Sequence, residues 1–159
     1  MQMIRFLFEE KAATENYARN VHEARQVSEA HKGRGNGACF HPDGKRLATI
    51  GSDGKVIVRN ATTGVISSQW TVSKSDITTI AIAADGKLVA VGDNRGTVSL
   101  WDIGGKRKLA SIKPLSQPIK SLDFSPKNNR LAIAGGGGRF RPPGGAYVWD
   151  GKQIGRAHV

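Results

Sequence analysis

Apolar and polar positions recur along most of the chain with a period of 42 residues. Three successive units carry similar residues at this interval, as in Phe40, Ile82 and Phe124 and in Leu47, Val89 and Leu131. A fixed period of roughly 20–50 residues is typical of solenoids and propellers, in which every repeat forms one supersecondary unit. The pattern therefore predicts three copies of one small structural unit.

Each unit is predicted to contain four short antiparallel strands. Two apolar stretches flank a tight turn, which lies at residues 41–45, 83–87 and 125–129 in the three units. The Asp-Gly of the first two turns favours a β-hairpin, because glycine tolerates the positive φ that such turns need. Alternating sequence then predicts the third and fourth strands at residues 56–60 and 65–70 in the first unit and at 98–102 and 109–112 in the second.

The first 30 residues differ in composition from the repeats. They contain all five glutamates of the sequence, and residues 1–32 carry equal numbers of basic and acidic side chains. The net charge of +11 therefore arises entirely from residues 33–159. The change from Glu- and Ala-rich to Gly-, Asp-, Val- and Ile-rich sequence predicts a domain boundary near residue 30. Before this boundary, apolar spacing predicts a helix over residues 9–24.

The sequence contains no motif of a metal site or a catalytic site. It lacks an HExxH pair, a Cys/His cluster and a GxSxG nucleophile turn. The Gly-rich stretches at 33–37 and 135–138 lack the GxGxxG or GK[ST] pattern of phosphate-binding loops. We therefore expect that the protein is not an enzyme and uses no metal and no cofactor.

Targeting and membrane signals are also missing from the sequence. No stretch reaches the ~20 apolar residues of a membrane span, and Glu9 interrupts the apolar start too early for a signal peptide. We therefore expect a cytoplasmic protein. The single cysteine, Cys39, excludes an internal disulfide and is predicted to act as a small buried hydrophobe. His22 and His41 are expected to face solvent.

Four segments resemble the WD-repeat family: HPDGKRLAT at 41–49, SLWD at 99–102, FSP at 124–126 and YVWD at 147–150. The resemblance covers roughly residues 27–150. It implies an all-β fold, a partial β-propeller of about three four-stranded antiparallel blades at about 29–70, 71–112 and 113–153. A short N-terminal helical lead over residues 1–26 would precede this domain of residues 27–153, and residues 25–28 could instead supply a strand.

The expected number of blades is too small for a closed ring. Closed propellers need about four to eight blades, so we expect this chain to be a fragment whose full-length protein supplies the remaining blades. The last six residues, IGRAHV at 154–159, resemble the frame-shifted translation of a sequencing adapter. We expect these residues to be a non-native tail and leave them out of the fold prediction.

In the WD-repeat family, a His, a Ser or Thr, an Asp and a Trp often form a hydrogen-bonded tetrad that fixes the blade. The first unit offers His31, Thr49 and Asp53 but has Arg59 at the tryptophan position. The second has Trp101, with Ser73, Val91 and Arg95 at the other three positions. No unit has a complete tetrad. The resemblance gives structural roles within the blades to His31, Thr49, Asp53, Trp101, Asp102, Trp149 and Asp150.

The resemblance implies a non-catalytic scaffold with protein partners. The candidate contact site lies in the third unit, where 48 residues rather than 42 separate Trp101 from Trp149. The additional residues include Arg139, Phe140 and Arg141, which are of the types enriched at interfaces. The alternative interpretation of this turn is a disordered Gly-rich insertion that no partner recognises. Two alternatives for the function also stay open. The basic excess could bind nucleic acid or an acidic membrane, or the propeller could be the accessory domain of a larger enzyme such as a bacterial kinase.

Overall fold

The computed structural model describes residues 31–139 and 143–150 of the chain. Within this part, the strands form three antiparallel sheets, which we call blades 1 to 3 in chain order. Blade 1 comprises β1 (Gly35–Phe40), β2 (Arg46–Gly51), β3 (Lys55–Asn60) and β4 (Ile66–Thr71). Blade 2 comprises β5 (Ile77–Ile82), β6 (Leu88–Asp93), β7 (Val98–Asp102) and β8 (Arg107–Ile112). The described strands of blade 3 are β9 (Ile119–Phe124), β10 (Leu131–Gly135) and β11 (Gly145–Trp149).

The 42-residue period of the sequence is also the period of the structure. In every blade each strand pairs with the next strand along the chain. The first hairpins place equivalent residues opposite one another, pairing Phe40 with Leu47, Ile82 with Val89 and Phe124 with Leu131. A β-bulge recurs at equivalent positions of the first two hairpins, between Gly35 and Gly37 and between Ile77 and Thr79. The predicted all-β fold of antiparallel blades is confirmed.

The Asp-Gly hairpin turns form as the sequence predicts. Gly44 and Gly86 have φ values of 68° and 72°, in the left-handed region that glycine adopts without strain. In both turns the aspartate carboxylate, Asp43 or Asp85, accepts a hydrogen bond of 2.9 Å from the backbone N–H two residues later. Local turn chemistry therefore fixes the register of these hairpins.

The blades pack face to face through apolar side chains that alternate along their strands. Between blades 1 and 2 the buried cluster includes Ala48, Ile50, Val56, Val58, Val89, Val91 and Trp101. Between blades 2 and 3 it includes Ala90, Val98, Leu100, Ile119, Leu131 and Ile133. Because full burial of such an aliphatic side chain contributes about 1.5–3 kcal/mol, these two interfaces are the main source of stability in the described part.

The first strands of the blades lie side by side, with β5 between β1 and β9. One polar link recurs across both junctions. Asn36 Nδ2 donates a hydrogen bond of 2.7 Å to the carbonyl oxygen of Ile77, and the Thr78 hydroxyl donates to that of Ile119. Asn36 and Thr78 occupy equivalent repeat positions, so the same kind of bond fixes each blade against the next.

The prediction that His41 faces solvent is wrong. Its side chain is buried at the junction of blades 1 and 2, and the residue is only 7% exposed. His41 Nε2 donates to the carbonyl oxygen of Gly86 at 3.0 Å, while Nδ1 accepts from the backbone N–H of Asp43 at 3.2 Å. The sequence alone could not show this contact, because Gly86 belongs to the next blade.

Several predictions concern residues outside the described part. These are the N-terminal lead of residues 1–26 with its helix at 9–24, the strand at 25–28, the orientation of His22 and the tail at 154–159. None of the described segments forms a helix long and apolar enough to cross a membrane.

Candidate functional site

The connections at one end of the blades form the candidate functional site. Because adjacent strands of a blade run in opposite directions, the turn between its second and third strands lies at the same end as the connection to the next blade. We call this end the upper rim and the opposite end the lower rim. The described connections of the upper rim are residues 31–34, 52–54, 72–76, 94–97, 113–118, 136–139 and 143–144.

Each short turn of the upper rim packs against the connection that leaves its own blade. The carbonyl oxygen of Gly54 accepts a hydrogen bond of 2.9 Å from the backbone N–H of Val72. Gly54 and its repeat equivalent Gly96 have φ values of 72° and 86°. A Cβ at either glycine would overlap a backbone carbonyl oxygen, that of Ser73 or Leu115. The close approach of two backbones therefore requires glycine at both positions.

His31, Thr49 and Asp53 come together at the upper rim of blade 1. His31 Nδ1 donates to Asp53 Oδ1 at 2.9 Å, and Nε2 lies 3.1 Å from the Thr49 hydroxyl. Asp53 also accepts hydrogen bonds from the backbone N–H groups of Lys55 and Lys32. Burial raises the pKa of Asp53, but the hydrogen bonds from His31 and the backbone outweigh it and hold the pKa below its ordinary value.

Blade 2 replaces this arrangement with residues that the sequence analysis did not identify. Asp93 is buried, and its Oδ1 accepts 2.9 Å hydrogen bonds from the backbone N–H groups of Arg95 and Thr97. The Ser73 hydroxyl donates to Asp93 Oδ2 at 3.5 Å. Asp93 thus supplies the carboxylate that position 95 lacks. Its place at the end of β6, two residues earlier than the family pattern, explains why the motif comparison missed it.

Trp101 has a hydrogen-bond partner two residues earlier on its strand, a spacing that the sequence alone could have indicated. Its Nε1 donates to the Ser99 hydroxyl at 2.9 Å, and the two side chains share a face because they lie two residues apart on β7. Lys108 Nζ lies 5.4 Å from the Trp101 ring centroid, within the range of a cation–π interaction. The Trp70 ring of blade 1 lies against the Trp101 ring of blade 2, with ring centroids 6.5 Å apart.

The other predicted blade residues lie toward the lower rim. Trp149 is buried in the cluster between blades 2 and 3, 4% exposed. Asp102 accepts a 3.0 Å hydrogen bond from the backbone N–H of Gly104 and so stabilises the turn after β7. Asp150 directly follows β11 and is half-buried. Trp149 and Asp102 therefore stabilise the blades.

The long turn of blade 3, residues 136–144, has a fixed base. Gln117 is buried, and its Oε1 accepts a 2.8 Å hydrogen bond from the backbone N–H of Gly137. The N–H of Gly136 donates to the carbonyl oxygen of Pro118 at 3.1 Å. The start of the turn is therefore held by the connection between blades 2 and 3.

Of the three predicted partner-binding residues, Arg139 lies within the described part and is exposed on this turn. Phe140 and Arg141 lie outside the described residues. The turn is longer than its counterparts, residues 52–54 and 94–97, as the spacing of the tryptophans predicts.

Basic side chains outnumber carboxylates on the upper rim. The basic set is Lys32, Arg34, Lys55, Lys74, Arg95, Lys113 and Arg139, against Asp53, Asp76 and Asp93. All three carboxylates are engaged, since Asp76 lies 3.4 Å from Arg34 Nη2 and the other two accept the hydrogen bonds described above. The exposed charge of this rim is therefore positive.

A polar cleft of about 420 Å³ opens beside the upper rim between blades 1 and 2. Its lining includes the hydroxyl groups of Ser73, Thr97 and Ser99 and the side chains of Lys74 and Lys108. Hydroxyl and ammonium groups together can donate hydrogen bonds to an anionic side chain.

Cys39 is half-buried against the core between blades 1 and 2. Burial raises the pKa of its thiol to about 11, so that the thiol stays protonated and weakly nucleophilic at neutral pH. Among residues 31–139 and 143–150, no group of three or more His, Cys, Asp and Glu side chains is placed to hold a metal ion.

Comparison with known proteins agrees with this architecture. The family model of the anaphase-promoting complex subunit 4 WD40 domain matches residues 16–84. Cilia- and flagella-associated protein 43 of Chlamydomonas reinhardtii is 30% identical over 80% of this chain and 9% of its own length. Cell division cycle 20.1, cofactor of APC complex, of Arabidopsis thaliana is 37% identical over 57% of this chain and 20% of its own.

Solved structures show the same fold at low sequence identity. The structure of U3-55K superposes with a TM-score of 0.67 and 16% identity, covering 79% of this chain and 38% of the other. The crystal structure of the RRP9 WD40 repeats matches with the same TM-score and the same coverage. The chain thus spans less than half of these structures, and less than a quarter of the two relatives above.

Proposed function

Since the chain belongs to the WD-repeat family of β-propeller proteins, we propose that it is a non-catalytic platform that binds protein partners through its upper rim. The matched family model and one relative support a role in protein assemblies, because their names describe a subunit of the anaphase-promoting complex and a cofactor of APC complex. Rigid blades that present variable connections are the usual basis of such binding.

The observation that carries this proposal is the long turn at 136–144. Its base is fixed by Gln117, while Arg139 is exposed beyond that base. A long turn on a rigid scaffold is more often functional than a short one. Arginine and aromatic residues are enriched among the side chains that dominate binding energy, so Arg139, Phe140 and Arg141 are the proposed contact residues.

The partner that fits this rim carries an acidic surface. The exposed charges of the upper rim are basic, and complementary charge accelerates encounter and suppresses wrong partners. The polar cleft between blades 1 and 2, with Lys74 and Lys108 in its lining, offers a place for a carboxylate side chain of the partner.

The test compares two triple variants of the chain as bait in affinity purification, followed by titration of the recovered partner. One variant replaces Arg139, Phe140 and Arg141 by alanine. The matched control replaces Lys127, Asn128 and Arg130 by alanine in the lower-rim turn of the same blade. We expect the first variant alone to lose at least about tenfold in affinity, because a binding hot spot contributes roughly 2 kcal/mol or more. Unchanged affinity with an unchanged fold would refute the assignment.

The basic excess supports a second candidate, the binding of nucleic acid or an acidic membrane. Nuclease treatment of the purification and sedimentation with vesicles containing phosphatidylserine distinguish these partners from protein. This second candidate would be favoured by an affinity that falls steeply as the salt concentration rises and that stays the same when Arg139, Phe140 and Arg141 are replaced by alanine. Recovery of the full-length gene tests the remaining alternative, that the propeller is the accessory domain of an enzyme.

A further inference from the structure

The polar cleft between blades 1 and 2 occupies a place that a histidine fills in the preceding repeat. In blade 1 the His31 ring bonds to Asp53 and Thr49 and closes the space beside the strands. The repeat equivalent of His31 in blade 2 is Ser73, whose short side chain leaves the cleft of about 420 Å³ open. The lining comes entirely from blades 1 and 2 and the connection between them. A further blade packed on blade 1 or on blade 3 would therefore leave the cleft accessible.

Two wall positions of the cleft change from apolar to polar between the blades. The strand register of the two blades is the same, so their residues can be compared position by position. Where blade 1 carries Ile57 and Ile66, blade 2 carries Ser99 and Lys108. Packing between blades does not need these polar groups, because a cluster of buried apolar side chains already joins blades 1 and 2. The polar replacements therefore point to a role in binding.

The cleft offers hydrogen-bond donors that the described residues leave unused. Ser99 is 7% exposed, and its hydroxyl accepts the 2.9 Å hydrogen bond from Trp101 Nε1, while its own proton has no acceptor in the described part of the chain. Among the same residues, neither Lys74 nor Lys108 has a carboxylate partner. The Lys108 ammonium group lies over the Trp101 ring, 5.4 Å from its centroid. Two ammonium groups and a buried hydroxyl are therefore available to a ligand.

The carboxylate in the lining, that of Asp93, does not cancel the positive charge of the cleft. Its oxygen atoms already accept hydrogen bonds from the backbone N–H groups of Arg95 and Thr97 and from the Ser73 hydroxyl. Two lysines against one aspartate leave the lining with one net positive charge. Because ammonium and hydroxyl donors bind charged oxygen atoms most strongly, the lining favours an anionic ligand with several oxygen atoms.

We propose that this cleft binds an acidic side chain of the protein partner and that a phosphoserine binds there more tightly than a glutamate. This inference rests on the proposed function, which supplies the partner. A phosphoserine carries a charge of about −1.5 to −2 at pH 7 and three terminal oxygen atoms, whereas a carboxylate has a single charge and two oxygen atoms. The larger group matches the donors that line the cleft, which are Lys74, Lys108, Thr97, Ser99 and Ser111. Phosphorylation of the partner therefore strengthens its binding to this chain.

The test measures the acetylation rate of each lysine by mass spectrometry, on the whole 159-residue chain in phosphate-free buffer of constant ionic strength. The probes, titrated separately, are N-acetylphosphoserine amide, N-acetylglutamate amide and N-acetylserine amide. We expect the phosphoserine probe to protect Lys74 and Lys108 with a Kd at least about fivefold below that of the glutamate probe, because it offers more charge and more acceptors. The serine probe should protect neither lysine. Lys127, an exposed lysine of the lower rim, should react at the same rate with every probe.

A pair of matched variants locates the binding. Lys108→Gln removes one ammonium group and should raise the Kd of the phosphoserine probe, measured at Lys74, by about tenfold. Lys127→Gln makes the same change on the lower rim and should leave that Kd unchanged. An unchanged Kd in Lys108→Gln would overturn the proposal.

The probes on the unmodified chain give a second way to refute it. Equal protection by the phosphoserine and serine probes would overturn binding of an anion, and equal Kd values for the phosphoserine and glutamate probes would overturn the preference for phosphate. Vesicles containing a phosphatidylinositol phosphate that protect Lys74 and Lys108 at a lower phosphate concentration than the phosphoserine probe would overturn the assignment to a protein partner. None of these measurements uses the partner, so their failure is distinct from failure of the variants at Arg139, Phe140 and Arg141.

Discussion

At the residue scale, several aspartates of the described blades fix the connections between strands. The carboxylates of Asp43, Asp53 and Asp93 each accept hydrogen bonds from backbone N–H groups of their own turns. Asp53 also holds the His31 ring. Such charge-assisted hydrogen bonds are roughly twice as strong as neutral ones. The same residue types that could be mistaken for acid or base catalysts therefore act as turn supports.

Asp53→Asn tests this role through its pH dependence. The pKa of Asp53 is lowered in the folded chain from an ordinary value of 3.8, so the ionised carboxylate stabilises the fold above that pH. The stabilisation is lost as the pH falls through the lowered pKa. We expect the substitution to reduce the free energy of unfolding by roughly 1–3 kcal/mol at pH 7 and by progressively less below pH 4.

Urea denaturation at a series of pH values measures this difference. Asp85→Asn serves as control, because Asp85 is an exposed turn carboxylate that accepts one backbone hydrogen bond. A destabilisation by Asp53→Asn that stayed constant from pH 7 to pH 3 would contradict the proposed role of the charge.

At the element scale, the blades are joined where backbone approaches backbone. Gly54 and Gly96 allow the turn between the second and third strands to pack against the connection that follows the blade. His41 and Gly86 make a corresponding contact at the lower rim, from the first hairpin turn of one blade to that of the next. These contacts set the position of each blade relative to its neighbour.

Gly96→Ala is expected to be more damaging than Gly44→Ala. Both glycines have positive φ, but a Cβ at Gly96 would overlap the Leu115 carbonyl oxygen, while a Cβ at Gly44 meets nothing within 4 Å. Strain at positive φ alone costs about 1 kcal/mol, so we expect roughly this loss for Gly44→Ala and at least twice as much for Gly96→Ala. Chemical denaturation of the two variants gives the comparison, and equal losses would show that the close approach is unimportant.

At the scale of the whole molecule, the described blades leave an apolar face open. The outer face of blade 3 carries Ala132, Ala146 and Val148, all exposed, and Val148 is 63% exposed. Paired strands alone do not hide such a face, because alternate residues of each strand point toward it. A contiguous apolar surface of this kind favours association with another sheet.

We therefore expect the isolated chain to self-associate as its concentration rises. Sedimentation velocity at micromolar concentrations should show an average mass above that of the monomer. Val148→Lys should lower this mass, because it places a charge on the open face. Val65→Lys is the matched control, since Val65 is 66% exposed in a turn of blade 1 away from that face. A monomer at every concentration would contradict the prediction.

The sequence by itself determined the blade architecture, because its signals are local. Alternation and Asp-Gly turns specify each hairpin within a few residues, and the 42-residue period repeats that specification. Tertiary structure alone decided the neighbours across blade junctions. His41 reaches Gly86, Asn36 reaches Ile77, and Asp93 is buried where the family pattern has no carboxylate. These contacts join residues far apart in sequence, so no local pattern encodes them. The burial of Arg59 likewise follows from tertiary packing, although the sequence already shows that this arginine stands at the tryptophan position of the repeat.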